Sequence, residues 1–194
     1  MNRSVAYAAL LGLLLLTGCE TPATRPNFPD IHFTNEPRLR VDVAAIDLQS
    51  AFHAKFQPPN VEHLFPVPPE HAMQNWAEDR LGATGTSRRM RVLITDASVT
   101  ETQLPKTPGL TGAFRTDQAQ RYDIKAAMSI DILNDGGFTE RSVEASVTLT
   151  RSVPEGITPN QRDKAWYAMT KELMAALDKQ LEQRMRENFT FYVQ

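Results

Sequence analysis

The sequence predicts an α/β fold, a two-layer sandwich in which two helices cover one face of a four-stranded, mainly antiparallel sheet. Three observations support it: two long segments alternate apolar and polar residues, a glycine-containing turn joins them, and a long amphipathic helix pattern follows. Alternation with period two is typical of a strand with one buried face, and a single apolar stripe is typical of a helix packed on such a face. Together with two strands and a helix earlier in the chain, these segments give the order β-α-β-β-β-α.

The first strand is predicted over residues 39–48, where alternation begins at Leu39 and is interrupted by Ile46 and Leu48. A proline-studded crossing over residues 49–68 follows it.

The first helix is predicted over residues 69–81. Proline suits its first turn, where the missing N–H group removes no hydrogen bond. Met73, Trp76 and Arg80 recur at helical spacing on one face, and Gly82 is placed to cap the end.

The remaining strands are predicted over residues 92–99, 122–133 and 142–150. Alternation is imperfect in the first of these, which indicates a β-bulge. It is regular in the other two, and the turn at 134–137 predicts that they form a hairpin, since glycine accepts a positive φ without steric cost.

The last helix is predicted to begin at Thr158, because Thr158-Pro159-Asn160-Gln161 has the pattern of a capping box with proline in the first helical position. An apolar stripe follows at helical spacing, and the aromatic tail at 189–193 is expected to pack down or to add a short extended end. The stripe consists of Trp166, Met169, Leu173, Ala176, Leu177 and Leu181.

The N-terminus has the pattern of an export signal. A positive start containing Arg3 precedes the apolar run Val5–Leu16, which is too short to span a bilayer, a task for about 20 apolar residues. Without residues 1–18 the chain keeps 20 of its 21 basic residues and all 23 acidic ones, a net charge of −3. That balance gives no reason to expect a nucleic-acid partner.

Leu16-Thr17-Gly18-Cys19 resembles the lipobox of bacterial lipoproteins, and it contains the chain's one cysteine. The resemblance implies that Cys19 receives a diacylglycerol, becomes the first residue of the mature protein, and is acylated on its new amine, for example by palmitate. Glu20 in the next position implies sorting to the outer membrane, on its periplasmic face. The partner expected first is therefore the membrane itself, through a lipid anchor.

Three regions are predicted: a signal peptide over 1–18, a proline-rich tether over 19–38, and a single α/β domain over 39–194. Four prolines in the tether exclude a helix or an inner strand. If fully stretched, such a linker would hold the domain about 50 Å from the lipid. Its apolar residues Phe28 and Ile31 leave open that part of it folds back onto the domain.

No catalytic or metal-binding pattern is found in the sequence, so we expect neither an enzyme nor a cofactor. The histidines His32, His53, His63 and His71 do not form a metal-ligand spacing. The segment 82–87 contains glycine and serine but matches neither a nucleophile elbow nor a phosphate loop.

Two surface features are candidates for binding a protein partner in the envelope. One is a long loop over 105–115 that carries Leu110 and Phe114; the alternative is that both side chains pack into the edge of the domain. The other is a positive group, which would suit an acidic partner or a lipid phosphate; the alternative is a set of solvated charges at the sheet edge. This group consists of Arg88, Arg89, Arg91 and Arg115, with Arg121 nearby.

The order of elements together with the anchor resembles the LptE-like LPS-assembly lipoproteins over about residues 39–188. The closest local match runs from Gln120-Arg121-Tyr122-Asp123 to Leu149-Thr150-Arg151-Ser152, and the chain is also similar to uncharacterised proteobacterial lipoproteins that share the stretch at 59–66. The resemblance implies a non-enzymatic accessory or scaffold in cell-envelope assembly or lipid/LPS transport. A lipid or small-ligand carrier with an internal pocket is the alternative.

Overall fold

The computed structural model describes residues 26–105 and 118–193 and has the predicted fold class, a two-layer α/β sandwich. The strands are β1 (Leu39–Val41), β2 (Ala45–Ser50), β3 (Leu81–Ala83), β4 (Arg89–Asp96), β5 (Val99–Gln103), β6 (Gln118–Leu133) and β7 (Thr139–Pro154). The helices are α1 (Pro69–Arg80) and α2 (Pro159–Asn188), and a short 3-10 helix spans Glu62–Leu64.

The main sheet is four strands wide. β6 pairs antiparallel with β4 and β5 along one edge and with β7 along the other, while β2 pairs parallel to β4 on the outside. A parallel pair requires a crossover connection, and α1 provides it between β2 and β4. The main sheet and its helices therefore follow the predicted order, because β4 and β5 lie one after the other along the same edge of β6 and together take the place of one predicted strand.

The prediction of one strand over 39–48 is wrong, because that segment forms two strands in different sheets. β1 pairs parallel to β3 in a separate two-stranded sheet, and β2 joins the main sheet. The chain turns between them, where the amide of Val43 donates to the carbonyl of Val41 (2.8 Å). The interrupted alternation at Ile46 and Leu48 marks this change of sheet.

The prediction of one strand over 92–99 needs a similar correction. β4 and β5 are separated at Ala97 and Ser98, and the pairing register with β6 shifts between Ile94 and Asp96, which confirms the predicted irregularity. The hairpin of β6 and β7 is confirmed, and each strand is longer than predicted, at 16 residues. The extra residues of β6 are at the end where it pairs with β5, and β7 is extended at both of its ends.

The helix boundaries agree closely with the sequence pattern. The capping box at Thr158 is confirmed, since its side chain accepts from the amide of Gln161. Gly82 does not cap α1, because the chain passes directly from Leu81 into the extended conformation of β3. The tail packs down as expected: Phe189 is buried and Val193 bridges to Val41.

The core lies between the two helices and the main sheet. Its centre is fully enclosed, as the residues Trp76, Met128, Ile130, Leu173 and Leu177 show with at most 1% exposure. Neither of the two described helices combines the length and the apolar character needed to cross a membrane.

Candidate functional site

The described part of the predicted tether, residues 26–38, lies along the helices, and we call it the N-terminal strap. Ile31 is buried, and its carbonyl accepts a hydrogen bond from the side-chain amide of Asn75 (3.3 Å). The ring of Phe28 lies 5.0 Å from that of Tyr167 on α2, measured between centroids. The sequence left open that part of this segment folds back, and the structure shows this arrangement.

Asp79 on α1 holds the middle of the strap. Its carboxylate accepts from the amide of Phe33 (2.8 Å) and lies 2.9 Å from Nδ1 of His32. Burial acts to raise the pKa of Asp79, but these hydrogen bonds and the nearby charge of Arg38 outweigh it and leave the pKa below its usual value. The charged carboxylate is therefore the form that binds the strap.

Arg80 binds the C-terminal end of the strap and connects it to both helices. Its side chain is completely buried and donates to the carbonyl of Pro37, to Asp178 (2.8 Å) and to Glu182. The indole N–H of Trp76 donates to the same oxygen of Asp178 (2.7 Å). One guanidinium thus joins the strap, α1 and α2.

The three described arginines of the predicted positive group are each paired with an acid. Arg88 binds Glu140 (2.9 Å), Arg89 binds Asp47 through two bonds of 2.8 Å, and Arg91 binds Asp131 (2.6 Å). The hydrogen bond from Arg89 lowers the pKa of Asp47, and that from Arg88 lowers the pKa of Glu140.

The structure therefore places these arginines among matching carboxylates rather than in an uncompensated cluster. The pairs at Arg89 and Arg91 lie on the outer face of the sheet, which the helices do not cover, and a pair of Lys125 with Asp96 (2.9 Å) lies farther along the same strands. The other predicted members of the binding site, Leu110, Phe114 and Arg115, lie outside the described residues, as does Cys19.

The crossing between β2 and α1, residues 51–68, is the surface feature that sequence reasoning did not assign to a site. It covers the free edge of β5, because the amide of Val61 donates to Val99 and the amide of Glu101 to Pro59. Phe65 fixes it to the core by stacking on Trp166, 4.8 Å between centroids. Unusual length and proline content were the signals that could have identified it.

This crossing also exposes apolar groups and encloses a cavity. The exposed fractions are 70% for Phe56 and 53% for Leu64. Beside Phe56 is a cavity of about 300 Å³. Its wall is formed by Phe52, Ala54, Phe56, Glu62, His63, Pro68, Glu70 and Ala97.

The histidines do not converge on a common point. His32 and His71 face Asp79 and Asp30, and His53 faces the carbonyl of Ala51. Within residues 26–105 and 118–193, no group of three or more His, Cys, Asp or Glu side chains is placed to hold a metal ion.

Comparison with solved structures finds distant similarity to bacterial lipoproteins. Rare lipoprotein B from Shewanella oneidensis is 10% identical, with 72% of this chain and 92% of that chain covered and a TM-score of 0.37. A minor lipoprotein from Acinetobacter baumannii is 12% identical, with 71% and 91% covered and a TM-score of 0.36. These values are too low to support a function for this chain. No protein-family model matches it, and no curated protein sequence does.

Proposed function

We propose that this protein is a lipid-anchored lipoprotein that holds its α/β domain on the periplasmic face of the outer membrane. There it acts as a non-enzymatic accessory or scaffold in cell-envelope assembly or lipid/LPS transport. The observation that carries the proposal is Cys19, placed at the end of an export signal in the setting Leu16-Thr17-Gly18-Cys19. Three acyl chains on one residue would anchor the protein stably, since even two lipid signals suffice.

The strap supports this proposal because it limits how far the domain can lie from Cys19. The strap begins at Pro26, seven positions after Cys19, and it contacts the helices through Phe28, Ile31 and Phe33. Seven residues reach about 25 Å at most. A domain held this close to the lipid suits a protein that works at the membrane surface.

The anchor is tested by replacing the thiol. We expect Cys19→Ser to abolish incorporation of labelled palmitate and to release the protein from the outer-membrane fraction of intact cells. Thr21→Ser, a conservative change two positions away, is the matched control and should leave both unchanged. A Cys19→Ser protein that stays with the outer membrane would contradict the proposal.

The scaffold role requires an envelope protein partner, and we propose that Leu110 and Phe114 contact it, helped by Arg88, Arg89, Arg91 and Arg115. Affinity purification from intact envelopes should recover a stoichiometric partner, which Leu110→Asp/Phe114→Asp should lose. Thr107→Asp/Thr111→Asp adds the same charge to the same segment and should keep the partner. Equal recovery with both double variants would show that the two apolar side chains do not bind it.

The packing of the core favours this role over a carrier with an internal pocket. Side chains at the centre of the sheet–helix interface, such as Ile130 and Leu177, are fully buried and fill the space that a carrier would keep for its ligand.

A further inference from the structure

We propose that the cavity beside the crossing binds a small organic ammonium group, of the ethanolamine or choline type. The ammonium would lie between the aromatic rings that line the cavity and the carboxylates of Glu62 and Glu70. The residues that line this cavity are not among those assigned to the anchor or to the predicted partner surface.

The aromatic part of the cavity is formed at its rim by Phe56 and His63. Their ring centroids are 5.1 Å apart and the rings are inclined at 49°, while Phe52 contributes a third ring to the lining. The faces of aromatic rings attract cations, and cages of such rings are a common way to bind alkylated ammonium groups.

The backbone conformation of Phe56 also supports a role for its ring in contacting a ligand. Its φ is +52°, in the left-handed region that a bulky residue rarely adopts, yet the ring is 70% exposed and gains little from burial. Residues held in sparsely populated backbone conformations cluster at active sites and ligand-binding positions.

The charge of the cavity selects a cation. Only 3% of Glu62 is exposed. Its carboxylate oxygens accept two long hydrogen bonds, from the backbone amides of Lys55 (3.2 Å) and Val99 (3.5 Å). Glu70 accepts from the hydroxyl of Ser50 (2.6 Å). Neither carboxylate forms an ion pair with a Lys or Arg side chain of the part of the chain that the structure describes.

This contrasts with the paired acids elsewhere in the described structure. Asp47, Asp131 and Asp178 each face a guanidinium group within 3 Å. A buried carboxylate without a cation is costly, and a bound ammonium would relieve that cost. The carboxylates of Glu62, which is buried, and Glu70, which is half-buried, would repel phosphate or carboxylate ligands.

The volume and the remaining lining fit a small ligand. About 300 Å³ is at the lower end of the range for ligand sites, and Ala54, Pro68 and Ala97 add apolar surface suited to methyl or methylene groups. The combination of rings, apolar walls and uncompensated carboxylates defines an alkylammonium as the ligand class.

The experiment is a calorimetric titration of the purified protein with choline, with ethanolamine, and with 3,3-dimethylbutanol, the neutral analogue of choline. We expect saturable binding of at least one ammonium compound and affinity for the neutral analogue that is at least about tenfold weaker. Glu62→Gln and Phe56→Ala should each weaken ammonium binding by about tenfold. Glu36→Gln, at an exposed position of the strap, removes the same charge and should bind like the unaltered protein.

Absence of saturable binding by either ammonium compound up to about 10 mM would overturn the proposal. Equal affinity for the neutral analogue would do the same, as would unchanged binding by a folded Phe56→Ala protein, whose exposed ring is not needed for the core.

Competition by phosphatidylethanolamine vesicles, but not by phosphatidylglycerol vesicles, would identify a lipid headgroup as the source; lack of competition would identify the free amine. Outer-membrane fractionation should be unaffected by Glu62→Gln, so this proposal and the anchor are tested separately.

Discussion

At the scale of single residues, Arg80 shows what helical periodicity predicts and what it does not. Helical spacing placed it on the same face as Met73 and Trp76, and that face is buried. Its partners Asp178 and Glu182 lie about a hundred positions later in the chain. Periodicity along one helix contains no information about such distant partners, so the buried network could not be predicted from the sequence.

Arg80→Leu should therefore destabilise the fold strongly. The substitution leaves Asp178 and Glu182 without their cation and the carbonyl of Pro37 without its donor, and breaking one side of a buried ion pair costs about 3 kcal/mol or more. Arg89→Gln removes an exposed pair and should cost less than about 1 kcal/mol. Urea unfolding of the purified proteins measures both, and similar losses would show that the Arg80 network adds nothing to stability.

Cys19 and the arginines differ in how much of their surroundings the sequence alone shows. The proposed role of Cys19 depends on its immediate neighbours in the chain, which the sequence displays directly. The setting of Arg89 and Arg91 depends on carboxylates that other strands bring opposite them, so the positive group seen in the sequence is locally compensated in the fold.

At the scale of elements, the strands were predictable wherever one face is buried throughout. β6 and β7 keep strict alternation and were recognised together with their turn. The prediction of one strand over 39–48 is wrong because hydrophobic alternation does not show which sheet a strand joins. The break between β4 and β5 appeared in the sequence only as imperfect alternation.

The break between β4 and β5 also predicts a pH dependence. Asp96 accepts from the amide of Ser98 (3.0 Å) and pairs with Lys125. Burial raises the pKa of Asp96, but these partners outweigh burial and leave the pKa below its usual value. A carboxyl whose pKa is lowered by folding stabilises the fold above its unfolded pKa and loses that effect as pH falls through the folded one.

Asp96→Asn should thus cost about 1 kcal/mol at neutral pH and progressively less below about pH 4. Urea midpoints of both proteins, measured from neutral pH down to about pH 2, test this. A difference that stays constant with pH would show that the charge of Asp96 does not contribute.

At the scale of the whole molecule, the strap changes the expected relation between domain and membrane. The described part of the predicted tether, residues 26–38, contains neither a helix nor a strand, and the linker estimate of about 50 Å follows from treating all of residues 19–38 as free. Contacts of Phe28, Ile31 and Phe33 with α1 and α2 are tertiary, and proline content cannot reveal them.

Releasing the strap should move the domain away from the lipid. Ile31→Asp places a charge at a buried position and should weaken strap docking by about 2 kcal/mol, whereas Thr34→Asp adds the same charge at an exposed position of the same strap. Trypsin should cleave after Arg38 about tenfold faster in Ile31→Asp, because Arg38 is then no longer held on the carbonyls of Glu78 and Asp79.

Neutron reflectometry of the lipidated protein on a supported bilayer should find the domain within about 25 Å of the headgroups in the unaltered protein and in Thr34→Asp. In Ile31→Asp the layer should extend toward about 50 Å, and an unchanged layer despite faster cleavage would show that the strap does not set the distance.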